Sequence, residues 1–88
     1  MKVLLKSLEE LKEEYGIERL GGYLIIDSNI VDSDMIEFLG KIVESEYDKE
    51  SDSYVVDGWY FNPNFIKGIV TGYTIKNLSD GKEYTLSF

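Results

Sequence analysis

Turn-forming residues recur along this chain at intervals too short for any long regular element. Gly16, Gly21-Gly22, Gly40, Asp57-Gly58, Asn62-Pro63 and the stretch 77–81 punctuate it, and the apolar runs between them are a few residues long. Glycine, asparagine, aspartate and proline each supply a backbone torsion that a tight turn needs. Such a chain folds into short strands and short helices. It has no room for the long crossover helices that a parallel sheet requires.

The elements follow from local pattern. Residues 2–5 read as a first strand. Ser7 and Glu10 form the S-x-x-E capping box of a helix over 8–15, with Leu8, Leu11 and Tyr15 on one stripe and Gly16 as its stop. Residues 17–20 and 23–26 flank Gly21-Gly22 as a hairpin. Asp32 or Ser33 caps a second helix over 34–39, which Gly40 ends. Residues 41–47 are extended, 48–52 are polar, and 53–56 and 59–61 are strands around Asp57-Gly58. Asn62-Pro63 starts one helical turn that runs to Ile66. Residues 69–76 and 82–88 pair across 77–81, with Ile69, Tyr73 and Ile75 on one face and Tyr84, Leu86 and Phe88 alternating likewise. The predicted fold is α+β: a single small domain over residues 1–88. It has two short helices and one bent, mainly antiparallel sheet of about six or seven short strands, with barrel-like closure open to its second half.

A chain of 88 residues buries only about 60–65 % of the surface it exposes when unfolded. That allows a core but no deep substrate cleft. The chain has no cysteine, which removes disulfides, zinc knuckles, iron–sulfur clusters and a thiol nucleophile. The lack of disulfides in so small a domain points to a reducing cytoplasm. It has no histidine, which removes an imidazole base or ligand. The opening MKVLLKSLEELKEE returns to charge after three apolar residues, so no signal peptide or membrane span is expected there.

Nine basic and seventeen acidic residues give a net charge of -8. Binding to nucleic acid or to an anionic membrane is not expected, because Lys41, Lys49, Lys67, Lys76 and Lys82 are scattered singly and form no basic stripe. A basic protein partner is expected instead, since opposite charge speeds encounter.

The acids have a pattern. Glu44, Glu46, Asp48, Glu50 and Asp52 occupy alternate positions, and in one continuous strand all five would face one side. Their step would be about 6.6–6.8 Å, near twice the roughly 3.4 Å rise along one DNA strand. With Asp57 they make six carboxylates against a single lysine, Lys49, between Glu44 and Asp57. Tyr47, Tyr54 and Tyr60 lie in or beside this run and would supply contact area, because aromatic rings next to acids pack against Arg and Lys. The same run also fits an ordinary solvated hairpin loop, with the aromatic stretch 56–65 serving the core.

Other chemistries fail on spacing. The stretch from Asp27 has Val31 and Asp32 where a calcium loop needs an oxygen donor and glycine. The stretch from Asp48 has Ser53 and Trp59 where it needs glycine and glutamate. No carboxylate pair sits in a motif that raises a pKa for hydrolysis. Neither Gly21-Gly22 nor Gly68-x-x-x-Gly72 has the Lys-Ser/Thr of a phosphate loop. No catalytic residue, metal or cofactor is therefore assigned, and the chain reads as a non-enzyme.

MIEFLGKIVES (35–45) and YVVDGWYFNPNFI (54–66) resemble small uncharacterised proteins encoded by phages and prophages of Gram-positive bacteria. Those proteins often run a short helix, a Leu-Gly-Lys turn into a strand, and a Gly-Trp strand ending in an x-Pro-x-aromatic turn. The resemblance implies a phage-type setting inside a bacterial host cell. Small, acidic, cysteine-free phage proteins of this size include inhibitors of host defence such as anti-CRISPR proteins, several of which resemble nucleic acid in charge. Two functions follow as expectations. The first is an inhibitor that occupies the basic surface of a nucleic-acid-binding protein through Glu44, Glu46, Asp48, Glu50, Asp52 and Asp57. The second is a phage structural or regulatory module that self-associates, possible as a homodimer, through an exposed strand edge.

Overall fold

The computed structural model describes residues 1–86. It contains β1 (Lys2–Leu5), α1 (Leu8–Tyr15), β2 (Glu18–Leu20), β3 (Tyr23–Ile26), β4 (Asn29–Val31), α2 (Ser33–Ile36) and β5 (Ile42–Glu44). These are followed by β6 (Glu46–Asp48), β7 (Ser53–Val56), β8 (Trp59–Phe61), a 3-10 turn (Pro63–Phe65), β9 (Ile66–Thr71), β10 (Thr74–Asn77) and β11 (Glu83–Thr85). The fold is α+β with two short helices and antiparallel pairing throughout the described residues.

Among the described residues eleven strands replace the expected six or seven, and they form three sheets, not one bent sheet or a barrel. A five-stranded sheet has the order β11-β10-β9-β1-β5, and two separate three-stranded meanders have the orders β2-β3-β4 and β6-β7-β8. Tight turns cut the longer expected strands. Asp27 and Ser28 both take positive φ (51° and 63°), closing a two-residue hairpin that creates β4 from a stretch without a Gly-containing turn signal. The expected strand over 69–76 breaks at Gly72-Tyr73, where Thr71 pairs with Thr74. That break reverses the expected faces. Ile75 stands opposite Val70, not on the Ile69 face. Phe88 lies outside the described residues.

Local signals held where side chains cap the backbone directly. The capping box of α1 is complete: Glu10 N–H donates to Ser7 Oγ (3.1 Å) and Ser7 N–H to Glu10 Oε1 (3.2 Å). Gly16 N–H closes the helix on the Lys12 carbonyl at 2.9 Å. Asn62 caps the 3-10 turn by accepting from Asn64 N–H at 2.9 Å. The second helix is shorter than expected, running Ser33–Ile36 under an Asp32 cap before turns carry the chain to Gly40.

One core joins all three sheets. Val3, Leu5, Leu11, Leu24, Ile26, Val31, Met35, Val56, Phe61, Phe65 and Ile66 are buried in a single cluster. Leu24, Ile26 and Val31 come from the first meander, and Val56 and Phe61 from the second. The Asn64 amide donates to Asp27 at 2.8 Å and ties the β3–β4 turn to the 3-10 turn. In the five-stranded sheet Gly68 lies under Ile75. A Cβ there would come within 2.6 Å of Ile75 Cγ1 and 2.7 Å of the Lys76 carbonyl oxygen, so only glycine fits.

Candidate protein-binding surface

The acidic run does not form one ladder. Glu44 ends β5 in the five-stranded sheet, Ser45 breaks the strand, and Glu46 begins β6 in a different sheet. Glu50 and Asp52 then fall in the turn between β6 and β7. The reason is local. Asp48 accepts from the Glu50 N–H (3.2 Å) and the Ser51 hydroxyl (2.8 Å), winding the chain into a turn, and Asp52 takes a positive φ of 50°. An aspartate at the end of a short strand competes with strand continuation by bonding its own backbone.

Register separates the side chains into two faces, because residues directly opposite share a face and neighbours alternate. Glu46, Val55 and Tyr60 stand abreast across β6-β7-β8, with Asp48 and Ser53 in the next row of the same face. This is the outer face. Tyr47, Tyr54 and Phe61 stand abreast on the inner face, with Val56 and Trp59. Of the three tyrosines expected beside the acids, Tyr60 stands on the acidic face and Tyr47 meets one of the acids, Asp52, at the rim. Tyr54 packs against the core, and its ring lies 5.2 Å from that of Tyr47. Tyr47 reaches the rim, where its hydroxyl donates to Asp52 at 2.5 Å; the accepting carboxylate raises the Tyr47 hydroxyl above its ordinary value.

Glu44, Glu46 and Asp57 line a shallow, open depression of about 370 Å³ together with Met1, Ser45 and Val55. Glu44 is partly offset by the Met1 ammonium at 3.8 Å and stands opposite Lys2 in register. The carboxylates of Glu46 and Asp57 have no hydrogen bond or ion pair with the described residues. Six of the nine expected residues (Glu44, Glu46, Asp48, Asp57, Tyr60 and the turn residue Glu50) therefore belong to the outer acidic surface or its rim. Asp52 is engaged by Tyr47, and Tyr47 and Tyr54 belong to the other face. Among the described residues no group of three or more acidic side chains is arranged to hold a metal ion. Among the described residues no helix is long and apolar enough to cross a membrane.

A second surface escaped the sequence reading. On β2-β3-β4 the inner face carries Leu24, Ile26 and Val31, and the outer face carries Leu20, Tyr23, Ile25 and Ile30. Leu20 and Ile30 are each 65 % exposed and Tyr23 is 51 % exposed. The signal was present: Tyr-Leu-Ile-Ile is apolar at both parities, the pattern of a strand covered on both faces. No protein-family model, no curated protein and no solved structure matches this chain.

Proposed function

We propose that this chain is a small acidic interaction protein, not an enzyme, that occupies the basic surface of a nucleic-acid-binding protein. The observation that carries the reading is the outer face of β6-β7-β8. There Tyr60 stands 57 % exposed in one row with Glu46, with Asp48 in the next row and Asp57 in the adjoining turn. The carboxylates of Glu46 and Asp57, unpaired among the described residues, and an exposed phenol ring are what Arg and Lys side chains pair with and stack on. The charge of -8 adds long-range steering toward a basic surface. The shallow relief of this face suits a protein contact better than an enclosed substrate. The resemblance of residues 35–45 and 54–66 supports a phage-type setting in a bacterial host cell, and the small size and acidic charge support a role against a host nucleic-acid-binding or defence protein.

The test is capture from a bacterial lysate with the wild-type chain and with E46Q/D48N/Y60A as baits, followed by mass spectrometry. The expected outcome is a small set of nucleic-acid-binding proteins held by the wild type at about 0.15 M salt. They should be released at higher salt and lost with the variant. Identical retention by both baits would overturn this reading.

A further inference from the structure

We infer that Asp57 is a modification site, at which the backbone nitrogen of Gly58 attacks the aspartate carboxyl and converts the residue to isoaspartate. The chain contains two Asp-Gly pairs, Asp57-Gly58 and Asp80-Gly81. Glycine is the follower that shields its own nitrogen least, having no side chain. The fold treats the two pairs differently. At Asp80 both carboxylate oxygens are held: Oδ1 accepts from the Lys82 N–H at 2.8 Å and Oδ2 from the Tyr84 hydroxyl at 2.6 Å. The attacking nitrogen is held too, since the Gly81 N–H donates to the Asn77 carbonyl at 2.8 Å. The bonds from Tyr84 and Lys82 also keep the Asp80 carboxyl below its ordinary 3.8, away from the protonated form in which a carboxyl is attacked.

Nothing comparable holds Asp57. Its carboxylate has no hydrogen bond or ion pair among the described residues, and the Gly58 N–H donates to none of them. Both residues are exposed, and a Cβ at Gly58 would meet nothing within 4 Å, so a ring has room to close. Three aspartates take a left-handed φ: Asp27, Asp52 and Asp57. The Asn64 amide anchors Asp27 and the Tyr47 hydroxyl anchors Asp52, and serine follows each. Asp57 combines a free side chain with a following glycine. Ring closure requires Asp57 to leave its torsions in the two-residue turn between Val56 and Trp59. An exposed turn of this kind opens at low cost, and its left-handed φ of 50° is itself unfavourable for a residue with a side chain.

The step balances without any outside reagent but water. A bond forms between the Gly58 nitrogen and Asp57 Cγ, the Cγ–OH bond of the protonated carboxyl breaks, and the hydroxyl leaves with the amide proton as water. The succinimide then takes water back at either carbonyl. When the bond between the Gly58 nitrogen and the backbone carbonyl carbon of Asp57 breaks, the main chain runs on through Cβ and Cγ, and the α-carboxylate becomes the side chain. Mass and charge end unchanged. The carboxylate has moved, and the turn joining β7 to β8 is one methylene longer, so the acidic surface changes shape as the protein ages.

Peptide mapping of the aged full chain decides the matter. Isoaspartate at each pair is read by methyl transfer from an isoaspartyl methyltransferase, and the succinimide by its loss of one water. In native buffer isoaspartate should form about tenfold faster at Asp57 than at Asp80, the order that retained hydrogen bonds impose. In concentrated urea the two rates should converge, because both pairs are Asp-Gly and only the fold separates them. Equal rates at the two pairs in the folded chain overturn the inference. So does an Asp57 that isomerises in urea but not in the folded chain, since the turn would then protect it. A tenfold contrast that persists in urea overturns it as well, because sequence neighbours and not the fold would be its cause. None of these outcomes depends on what binds the acidic face.

Discussion

The two meanders, β2-β3-β4 and β6-β7-β8, are built alike and finished differently. Each is three short antiparallel strands joined by tight turns, and each sends its inner face into the same core. One outer face then carries Leu20, Tyr23, Ile25 and Ile30, and the other carries Glu46, Asp48, Val55 and Tyr60. The inner residues answer to packing, where a methylene gained or lost is felt. The outer residues are free of that demand, so their chemistry records what the surface meets. A fold of this size thus separates stability from recognition by the alternation of a strand.

The largest effects should come from the inner faces and should be similar in the two meanders. Phe61→Ala is expected to lose about 3–5 kcal/mol and Ile26→Ala about 2–5 kcal/mol, both being fully buried in the shared cluster. Urea unfolding measures both. A cost well below 1 kcal/mol for Ile26→Ala would mean that the first meander does not share the core.

Next in size is the five-stranded sheet, which shares its buried cluster with both meanders. Gly68→Ala should destabilise by about 1–3 kcal/mol, as overpacking does. Adding Ile75→Ala should not rescue it fully, because the Lys76 carbonyl remains in the way of the new Cβ. Full rescue would show that only the Ile75 side chain required glycine.

The outer faces should respond to different probes. E44Q/E46Q/D57N is expected to slow association with a basic partner about tenfold and to flatten its salt dependence. Stability should stay within about 0.5 kcal/mol, since these are exposed side chains. Leu20→Ser with Ile30→Ser should leave that association unchanged. Stopped-flow mixing at several salt concentrations checks both, and equal slowing by the two variants would erase the contrast between the faces.

The smallest effect is in acid. Burial raises the Glu10 carboxyl, but bonds from Lys67 and the Ser7 amide outweigh it and hold the group below its ordinary 4.5. The Tyr84 hydroxyl and Lys82 amide hold Asp80 below its ordinary 3.8. Both groups bind fewer protons folded than unfolded. Their contribution is therefore present above those ordinary values and lost as pH falls through the lower folded ones. Thermal melts between about pH 5 and 2 should show this loss, and Lys67→Met should reduce it slightly, as expected for an exposed pair. A melting curve of Lys67→Met parallel to wild type throughout would remove the Glu10 pair from the account.

Where a residue bonds its own neighbours, the sequence was legible. The Ser7–Glu10 box, the Gly16 stop, the Asn62-Pro63 turn and the Asp57-Gly58 hairpin all lie where their side chains and torsions put them. The Asp27-Ser28 hairpin was not legible, because both residues take positive φ with no glycine to announce it. The acidic run was half legible. Its charge and exposure were correct, but Asp48 was read as one step of a strand, whereas its carboxylate accepts from Glu50 and Ser51 and ends that strand.

By itself, then, the sequence determined the α+β class, the shortness of the elements, the helix caps and the acidic surface, all of which follow from interactions within a few residues or from composition. The tertiary structure alone decided that the strands divide into three sheets, that Ser45 separates Glu44 from Glu46, and that Tyr60 faces the acids while Tyr54 faces the core. It also decided that the apolar outer face of β2-β3-β4 is left uncovered. Face and sheet membership depend on register, and a shift of one residue exchanges every inner side chain for an outer one. That choice is made by which distant side chains fill the common core, and no window of neighbouring residues contains it.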